Sequence, residues 1–312
     1  MALETYNTLI ARNKRNSAIL VAIIIVLFVA VGFSIGTYTG HGDQRFGVGV
    51  AVFSGVLAFL LTLISFYGGS AAILAISGAH ELQREEDPQL FNVVEELCLA
   101  SALPMPKIYL MDDATPNAFA TGRDPQHAVV AITAGLRSKL TREELQGVLA
   151  HELSHVRNLD IRFSMLVAML VGVLVMLCDL FLHNLWWGGG RSRDRSDSDR
   201  GGGGAQVVFL VIAIALAIIA PILAKLIQMA ISRQREYLAD ASAVEMTRNP
   251  YGLIGALEKI SNDPGKLESA NRATQHLYIV NPLKKFNERS SALMSTHPPL
   301  EDRIERLKAL TV

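Results

Sequence analysis

This 312-residue sequence contains little cysteine and no excess of charge of either sign. It holds two cysteines, Cys98 and Cys178, whose spacing suggests neither a disulfide nor a cysteine-type metal site. Basic and acidic residues number 29 each, so the composition points to no nucleic-acid partner. Charged residues are only 19% of the chain and hydrophobic residues are 50%, which is apolar for a soluble enzyme.

Long uncharged runs account for this apolar composition. Residues 17–38 and 46–79 contain no charge, and each exceeds the roughly 20 apolar residues that cross a bilayer. They predict two transmembrane helices. The first is too long for a cleaved signal peptide, lacks a small-x-small site and is followed by a second spanning run. Two further runs, 163–177 and 205–224, fit either transmembrane or buried core helices.

Basic residues orient the first two helices. Arg12, Lys14 and Arg15 precede the first run, whereas the turn at 40–45 contains a single basic residue. The positive-inside bias therefore places the N-terminus in the cytoplasm and returns the chain there near His80.

An H-E-x-x-H motif is formed by His151, Glu152 and His155. Thr141 and Glu144 make a capping box, and apolar residues recur at helical spacing, so the motif is predicted to lie on a helix. Histidines four apart share one helix face and can bind one Zn²⁺, while Glu152 lies about 100° away and is free to polarise water. Because short motifs recur by chance, the alternative is a solvated helix whose histidines bind nothing.

A second acidic pair follows downstream. Glu236 and Asp240 are four residues apart in a stretch of helical composition. A zinc hydrolase needs three protein ligands and one open position, so Glu236 can be the third ligand. Asp240 can hold the free N–H of a ligating histidine. The alternative is an exposed helix with two carboxylates.

Sharing one metal requires His155 and Glu236 to lie on the same side of the membrane. An even number of crossings must separate them, and we favour two, although four arginines in the connector weigh against that choice. The predicted layout is a cytoplasmic N-terminus (1–16), two transmembrane helices (17–79), the first half of the catalytic domain (80–161), a third transmembrane helix (162–187), a flexible Gly/Arg/Asp connector (188–204), a fourth transmembrane helix (205–229) and the second half of the catalytic domain (230–312).

Three short strands are predicted at Lys107–Met111, 117–121 and 128–132, the last two joined by a hairpin-type connection. Residues Asn117, Ala118, Phe119 and Ala120 are uncharged and mostly small, so this strand suits an edge that pairs with an extended substrate. A three-stranded support sheet is an equal alternative.

The sequence resembles the HtpX-like membrane zinc metallopeptidases, relatives of the type I CAAX prenyl protease. The matching residues are His151-Glu152-Leu-Ser-His155 with Asp160, Ser232-Arg233-x-x-Glu236-Tyr237-x-Ala239-Asp240, and Thr296-His297-Pro298-Pro299. The resemblance implies His151, His155 and Glu236 as ligands of one Zn²⁺ per chain, and Glu152 as general base. It also implies a site facing the cytoplasm from the cell (inner) membrane, with protein or peptide substrates and a role in quality control of membrane proteins. The Gly/Arg/Asp connector departs from the family pattern.

The expected fold is therefore a mainly α membrane protein, with four transmembrane helices and a split cytoplasmic zincin-like metalloprotease domain that contains a small β-sheet. His297 or Tyr237 could donate a hydrogen bond to the oxyanion formed during peptide hydrolysis, although His297 at a helix entry could equally be structural. Co²⁺ or Mn²⁺ would accept similar ligands.

Two other functional classes fit the sequence less well. An intramembrane protease fits poorly, because charged residues flank the H-E-x-x-H motif. A non-proteolytic scaffold or transporter with a structural metal is the second alternative. Transporters usually place ionisable residues in the middle of the membrane, and here only Asp179, near one end of the third apolar segment, comes close, so the sequence offers no ion path.

Overall fold

The computed structural model describes residues 6–188, 203–265, 267, 278–279 and 298–310. Within these ranges the chain is mainly helical and contains one small mixed sheet, as predicted. The helices are α1 (Tyr6–Thr39), α2 (Gln44–Ile76), α3 (Pro88–Ser101), α4 (Ala134–Lys139), α5 (Arg142–Arg157), α6 (Asp160–Gly188), α7 (Gly203–Thr247), α8 (Pro250–Ser261) and α9 (Leu300–Ala309). The strands are β1 (His80–Glu81), β2 (Lys107–Met111), β3 (Ala118–Thr121) and β4 (Val129–Thr133).

The chain divides into two compact units. Unit 1 comprises residues 1–15, 65–166 and 228–312, and unit 2 comprises 16–64 and 167–227. Unit 1 is thus assembled from segments separated in sequence, and it contains the sheet together with α3, α4, α5, α8 and α9. Unit 2 consists of apolar helical segments.

Three helices in the described ranges are long and apolar enough to cross a membrane: Val21–Thr39, Gln44–Ile76 and Asp160–His183. They match the first three predicted crossings. The predicted fourth crossing corresponds to a shorter apolar stretch, Leu210–Ala220, so it stays a prediction. Residues 189–202, nearly all of the predicted connector, lie outside the described ranges.

Side chains on α2 support a lipid environment for this helix. Val52, Phe53, Val56 and Phe59 are each more than half exposed. A continuous row of large exposed apolar groups is unfavourable in water and suits contact with lipid.

The sheet has the strand order β1-β2-β4-β3. Strands β2 and β4 are parallel, whereas β3 runs antiparallel to β4 and forms one edge of the sheet. The three predicted strands, the hairpin-type connection and the edge position of the second strand are confirmed to within one residue. The sequence did not predict β1 or the parallel pairing of β2 with β4.

The core of unit 1 forms where α5 packs between the sheet and α8. At Gly147 the two helices touch through their backbones, since a Cβ there would lie 2.6 Å from the Leu253 nitrogen. Leu149, Leu153 and Val156 of α5 are fully or almost fully buried in the same core. This close approach fixes the helix that bears the H-E-x-x-H motif.

The apolar stretch before Glu236 and the stretch that contains Glu236 and Asp240 belong to one helix, α7. The boundary predicted at 229/230 between the fourth transmembrane helix and the catalytic domain is therefore not a break in secondary structure.

Candidate metal and catalytic site

The first turn of α5 is fixed by a reciprocal cap. The Thr141 hydroxyl accepts from the Glu144 N–H and the Glu144 carboxylate accepts from the Thr141 N–H, so the predicted capping box is confirmed. Glu144 also pairs with Lys259 of α8 at 2.7 Å. Helix α5 is thereby held at its start, and His151 and His155 follow on one face two and three turns later.

Three predicted metal ligands converge in the interior of unit 1. His151 Nε2 and His155 Nε2 are 3.3 Å apart, and each lies 3.5 Å from a carboxylate oxygen of Glu236. In a tetrahedral zinc site with metal–ligand distances of about 2.0–2.1 Å, neighbouring ligand atoms are about 3.3–3.4 Å apart. The two imidazole nitrogens have this spacing, and each faces a different oxygen of Glu236, Oε2 for His151 and Oε1 for His155. One ligand atom from each residue can therefore reach a single ion, and His/His/Glu is a donor set that zinc uses.

Two aspartates contact the Nδ1 atoms of the imidazoles, the nitrogens that do not face Glu236. Asp240 Oδ1 lies 2.9 Å from His151 Nδ1, and Asp160 Oδ2 lies 3.1 Å from His155 Nδ1. Asp160 reaches His155 because Leu159, in the left-handed conformation at φ 59°, ends the α5 geometry and starts α6. Such carboxylate–imidazole pairs turn the opposite nitrogens, here both Nε2 atoms, toward a metal.

Arg303 of α9 joins this cluster, and the sequence analysis missed it. Its side chain is 1% exposed and binds both oxygens of Asp240, at 2.6 and 2.9 Å, and its Nη1 lies 3.6 Å from Glu236. The neighbouring carboxylates raise its pKa against the opposing effect of burial. One signal was present: Arg303 occupies the apolar stripe of α9 formed by Leu300, Ile304 and Leu307, where a charge needs a buried partner.

The balance of buried charge favours a divalent cation. Four carboxylates, Glu152, Asp160, Glu236 and Asp240, are buried against two guanidiniums, those of Arg235 and Arg303. With neutral imidazoles these six groups leave a net charge of minus two, which one divalent metal would neutralise. Burial alone would lower the pKa of His151, but hydrogen bonds with Asp240 and Glu236 raise it to about 9, showing the same preference for positive charge.

Glu152 lies on the side of α5 that faces the edge strand β3. Its carboxylate is buried and is near the Ala120 N–H of that strand. Burial raises the pKa of Glu152, although the two imidazoles and the Ala120 N–H oppose the rise. A carboxyl group with a raised pKa beside a metal site can take up a proton and return it.

The predicted substrate strand is buried rather than open. Ala118 and Phe119 have no exposed surface, and Asn117 uses its Oδ1 to accept from the Ala118 N–H at 3.0 Å. The backbone of Asn117 pairs with Thr133 of β4. The strand therefore lies beside Glu152, as its predicted role in binding an extended substrate requires. Its outer main-chain groups, however, already have hydrogen-bond partners within the protein.

The two candidate oxyanion donors are not part of the described cluster. The Arg306 guanidinium stacks on the Tyr237 ring, with its Cζ atom 3.8 Å from the ring centroid. His297 lies outside the described residues. The oxyanion role of both residues stays a prediction.

Comparison with known proteins gives consistent results. Residues 84–311 match the family described as Peptidase family M48. The chain is 44% identical over 301 residues to a protein named Protease HtpX homolog from Lactobacillus helveticus, covering 96% of this chain and 98% of that protein. It is 41% identical to the homolog from Caldanaerobacter subterraneus over the full length of both. The crystal structure of S. mikatae Ste24p aligns with a TM-score of 0.49 and 19% identity, covering 92% of this chain and 62% of that one.

Proposed function

The chain belongs to peptidase family M48 and is a membrane metalloprotease, and we propose that it is a zinc-dependent endopeptidase with Glu152 as its general base. The observation that carries the proposal is the spacing of His151 Nε2, His155 Nε2 and the Glu236 carboxylate, with Glu152 beside them at a strand edge. Bound zinc, one ion per chain, would polarise a scissile carbonyl and lower the pKa of a water molecule.

The protein's own groups then carry the proton through the reaction. Glu152 accepts a proton from the attacking water, whose oxygen forms a bond to the carbonyl carbon. The protonated Glu152 returns that proton to the departing nitrogen as the C–N bond breaks. Asp240 and Asp160 keep the two imidazoles oriented throughout, because each holds an Nδ1 atom.

Placement in the cell follows from the apolar helices and the basic N-terminus. We infer an inner-membrane protein whose metal site faces the cytoplasm, with the bilayer and protein or peptide chains as its partners. Membrane proteins that have lost their fold are the substrates we propose, as the HtpX-like resemblance implies, and their degradation would serve quality control.

Two isosteric variants test the assignment of base and ligand. Glu152→Gln should keep stoichiometric zinc and lose proteolysis by several orders of magnitude, because only the proton acceptor is removed. Glu236→Gln should lose the metal together with activity. Zinc is measured by elemental analysis of protein purified in detergent, and proteolysis with an unfolded protein substrate.

The reverse pattern, with metal lost in Glu152→Gln and retained in Glu236→Gln, would overturn the assignment. An active Glu152→Gln protein would show that Glu152 is not the general base. A parent protein that holds zinc but cleaves no substrate would point instead to a structural metal in a non-proteolytic scaffold. His151→Ala and His155→Ala serve as positive controls for metal loss.

A further inference from the structure

The segment Tyr278–Ile279 lies along the outer edge of β3. The Ile279 N–H donates to the Ala118 carbonyl at 3.0 Å. The two side chains point to opposite faces of the sheet: Ile279 packs in the core cluster that contains Ala118 and Ala120, and Tyr278 packs with Phe119. The two residues form a bend rather than a regular strand, but their side chains alternate between the two faces as those of an added β-strand would.

Aromatic packing and burial strengthen the contact. The rings of Tyr278 and Phe119 meet edge to face, with centroids 5.2 Å apart. Tyr278 is fully buried and its hydroxyl lies 3.5 Å from the Ser77 hydroxyl, while Ile279 is 2% exposed. The segment therefore fills the place beside β3 with one side chain on each face.

Little of the outer edge of β3 is left for another chain. Since Asn117 pairs with Thr133 of β4, alternation turns the main-chain groups of Ala118 and Ala120 outward. Two of these four groups have hydrogen-bond partners within the chain: the Ala118 N–H donates to Asn117 Oδ1 and the Ala118 carbonyl accepts from the Ile279 N–H. A third, the Ala120 N–H, is near the Glu152 carboxylate.

Arg303 connects this segment to the metal site. Its Nη1 donates to the Ile279 carbonyl at 3.2 Å, while its Nε and Nη2 hold Asp240. If Ile279 left, the donor at Nη1 would be available for the carbonyl of another chain, at no loss to the Asp240 contact.

We propose that Tyr278–Ile279 is an internal stand-in for the substrate backbone, and that a substrate binds by displacing it from β3. The proposal rests on the peptidase function proposed above. An entering chain would donate an N–H to the Ala118 carbonyl and accept a hydrogen bond from Arg303. Its class follows from what it replaces: an extended, unfolded segment with large apolar side chains on both faces and an aromatic one beside Phe119.

A reversible cross-link tests displacement directly. Residues paired across adjacent strands have Cα atoms about 4.5–5.5 Å apart, which suits a disulfide. The variant Ala118→Cys/Ile279→Cys is made in a Cys98→Ser/Cys178→Ser background, oxidised with diamide and reduced with a phosphine. The oxidised protein should cleave a fluorescence-quenched peptide containing Tyr-Ile at least about 20-fold more slowly than the reduced protein, and reduction should restore the rate.

The single variants Ala118→Cys and Ile279→Cys, treated identically, should not respond to diamide. Equal rates for the oxidised and reduced pair would show that the segment stays in place during catalysis, and the inference would be wrong. A parent protein that cleaves no peptide while holding zinc is a different result, because it contradicts the peptidase function itself.

A second measurement needs no turnover. In the Glu152→Gln background, the peptide should accelerate thiol labelling of Ile279→Cys severalfold, since displacement exposes that side chain. Ile260→Cys, which is buried in the same core cluster, is the matched control and should not respond. Peptide binding without faster labelling of Ile279→Cys would also overturn the proposal.

Discussion

Arg303 places a positive charge among three buried carboxylates, where an H-E-x-x-H motif alone would suggest only ligands and a base. Arg303 donates two hydrogen bonds to Asp240, and Asp240 in turn contacts His151. The guanidinium, the carboxylate and the imidazole therefore form one chain of interactions. Removing one member of a buried ionic group leaves its partner charged and without compensation, which costs about 3–5 kcal/mol.

Replacement of Arg303 should therefore be severe. Arg303→Met is expected to lower the free energy of unfolding by about 3–5 kcal/mol. The matched control is Arg306→Met on the same helix, where an exposed guanidinium stacked on Tyr237 contributes about 0.5–1 kcal/mol. Denaturant unfolding of the full chain in detergent measures both. Similar losses in the two variants would contradict the role assigned to Arg303.

Asp240 offers a gentler test of the same chain of interactions. Asp240→Asn should weaken zinc affinity by about 10–100-fold without abolishing binding, because the imidazole loses its orienting anion and the ligands remain. Glu245→Gln, an exposed carboxylate later on α7, is the control. Competition with a chelator gives both affinities, and an unchanged value for Asp240→Asn would return this residue to a structural role.

At the scale of elements, the position of α5 depends on backbone contact with α8. Gly147→Ala should destabilise the protein by about 1–3 kcal/mol, since the new Cβ would lie 2.6 Å from the Leu253 nitrogen and neither backbone can yield easily. Gly68→Ala on α2 meets open space and should be neutral or slightly stabilising. Thermal inactivation in detergent compares the two, and equal inactivation temperatures would show that the helices can separate freely.

Elements with local signals were predictable from the sequence. The capping box of α5 and the three strands depend on residues within a few positions of one another. The pairing of β2 with β4 joins strands that β3 separates in sequence, and β1 consists of only two residues, so no local pattern in the sequence predicts either. The continuity of α7 was hidden because an apolar run and a polar run look like separate segments.

The site shows the same division. The two histidines and Glu152 form a local motif, and Glu236 with Asp240 forms another, so spacing alone could suggest that they meet. Arg303 and Tyr278–Ile279 reach the site through tertiary contacts, and the sequence reading included neither. Only the arginine within the apolar stripe of α9 could have indicated from the sequence that Arg303 has a buried partner.

At the scale of the whole molecule, the proposed site requires all its segments on one side of the membrane. Thiol labelling of single cysteines can test this, provided that the labelled positions are exposed. Ser154 and Ser242, on the two helices that bear the ligands, are buried and therefore unsuitable. Glu85, Ala241 and Gln44 are exposed and serve instead.

In a background lacking Cys98 and Cys178, Glu85→Cys and Ala241→Cys should react with an impermeant maleimide in inverted vesicles and resist it in right-side-out vesicles. Gln44→Cys, at the start of α2, should show the opposite pattern. Ser196→Cys then decides whether the third and fourth apolar segments both cross. Labelling of Glu85→Cys and Ala241→Cys from opposite sides would separate Glu236 from the histidines and exclude the proposed metal site.

The covered edge of β3 also bears on how this protein coexists with copies of itself. Unpaired strand edges join readily to other extended chains, and proteins protect them by shortening or covering them. Here β1, at the far edge, has only two residues, and β3 is covered by Tyr278–Ile279. A peptidase that binds extended chains along a strand edge would otherwise expose that edge to neighbouring copies in the membrane. The same two residues would thus guard against mutual capture and self-digestion.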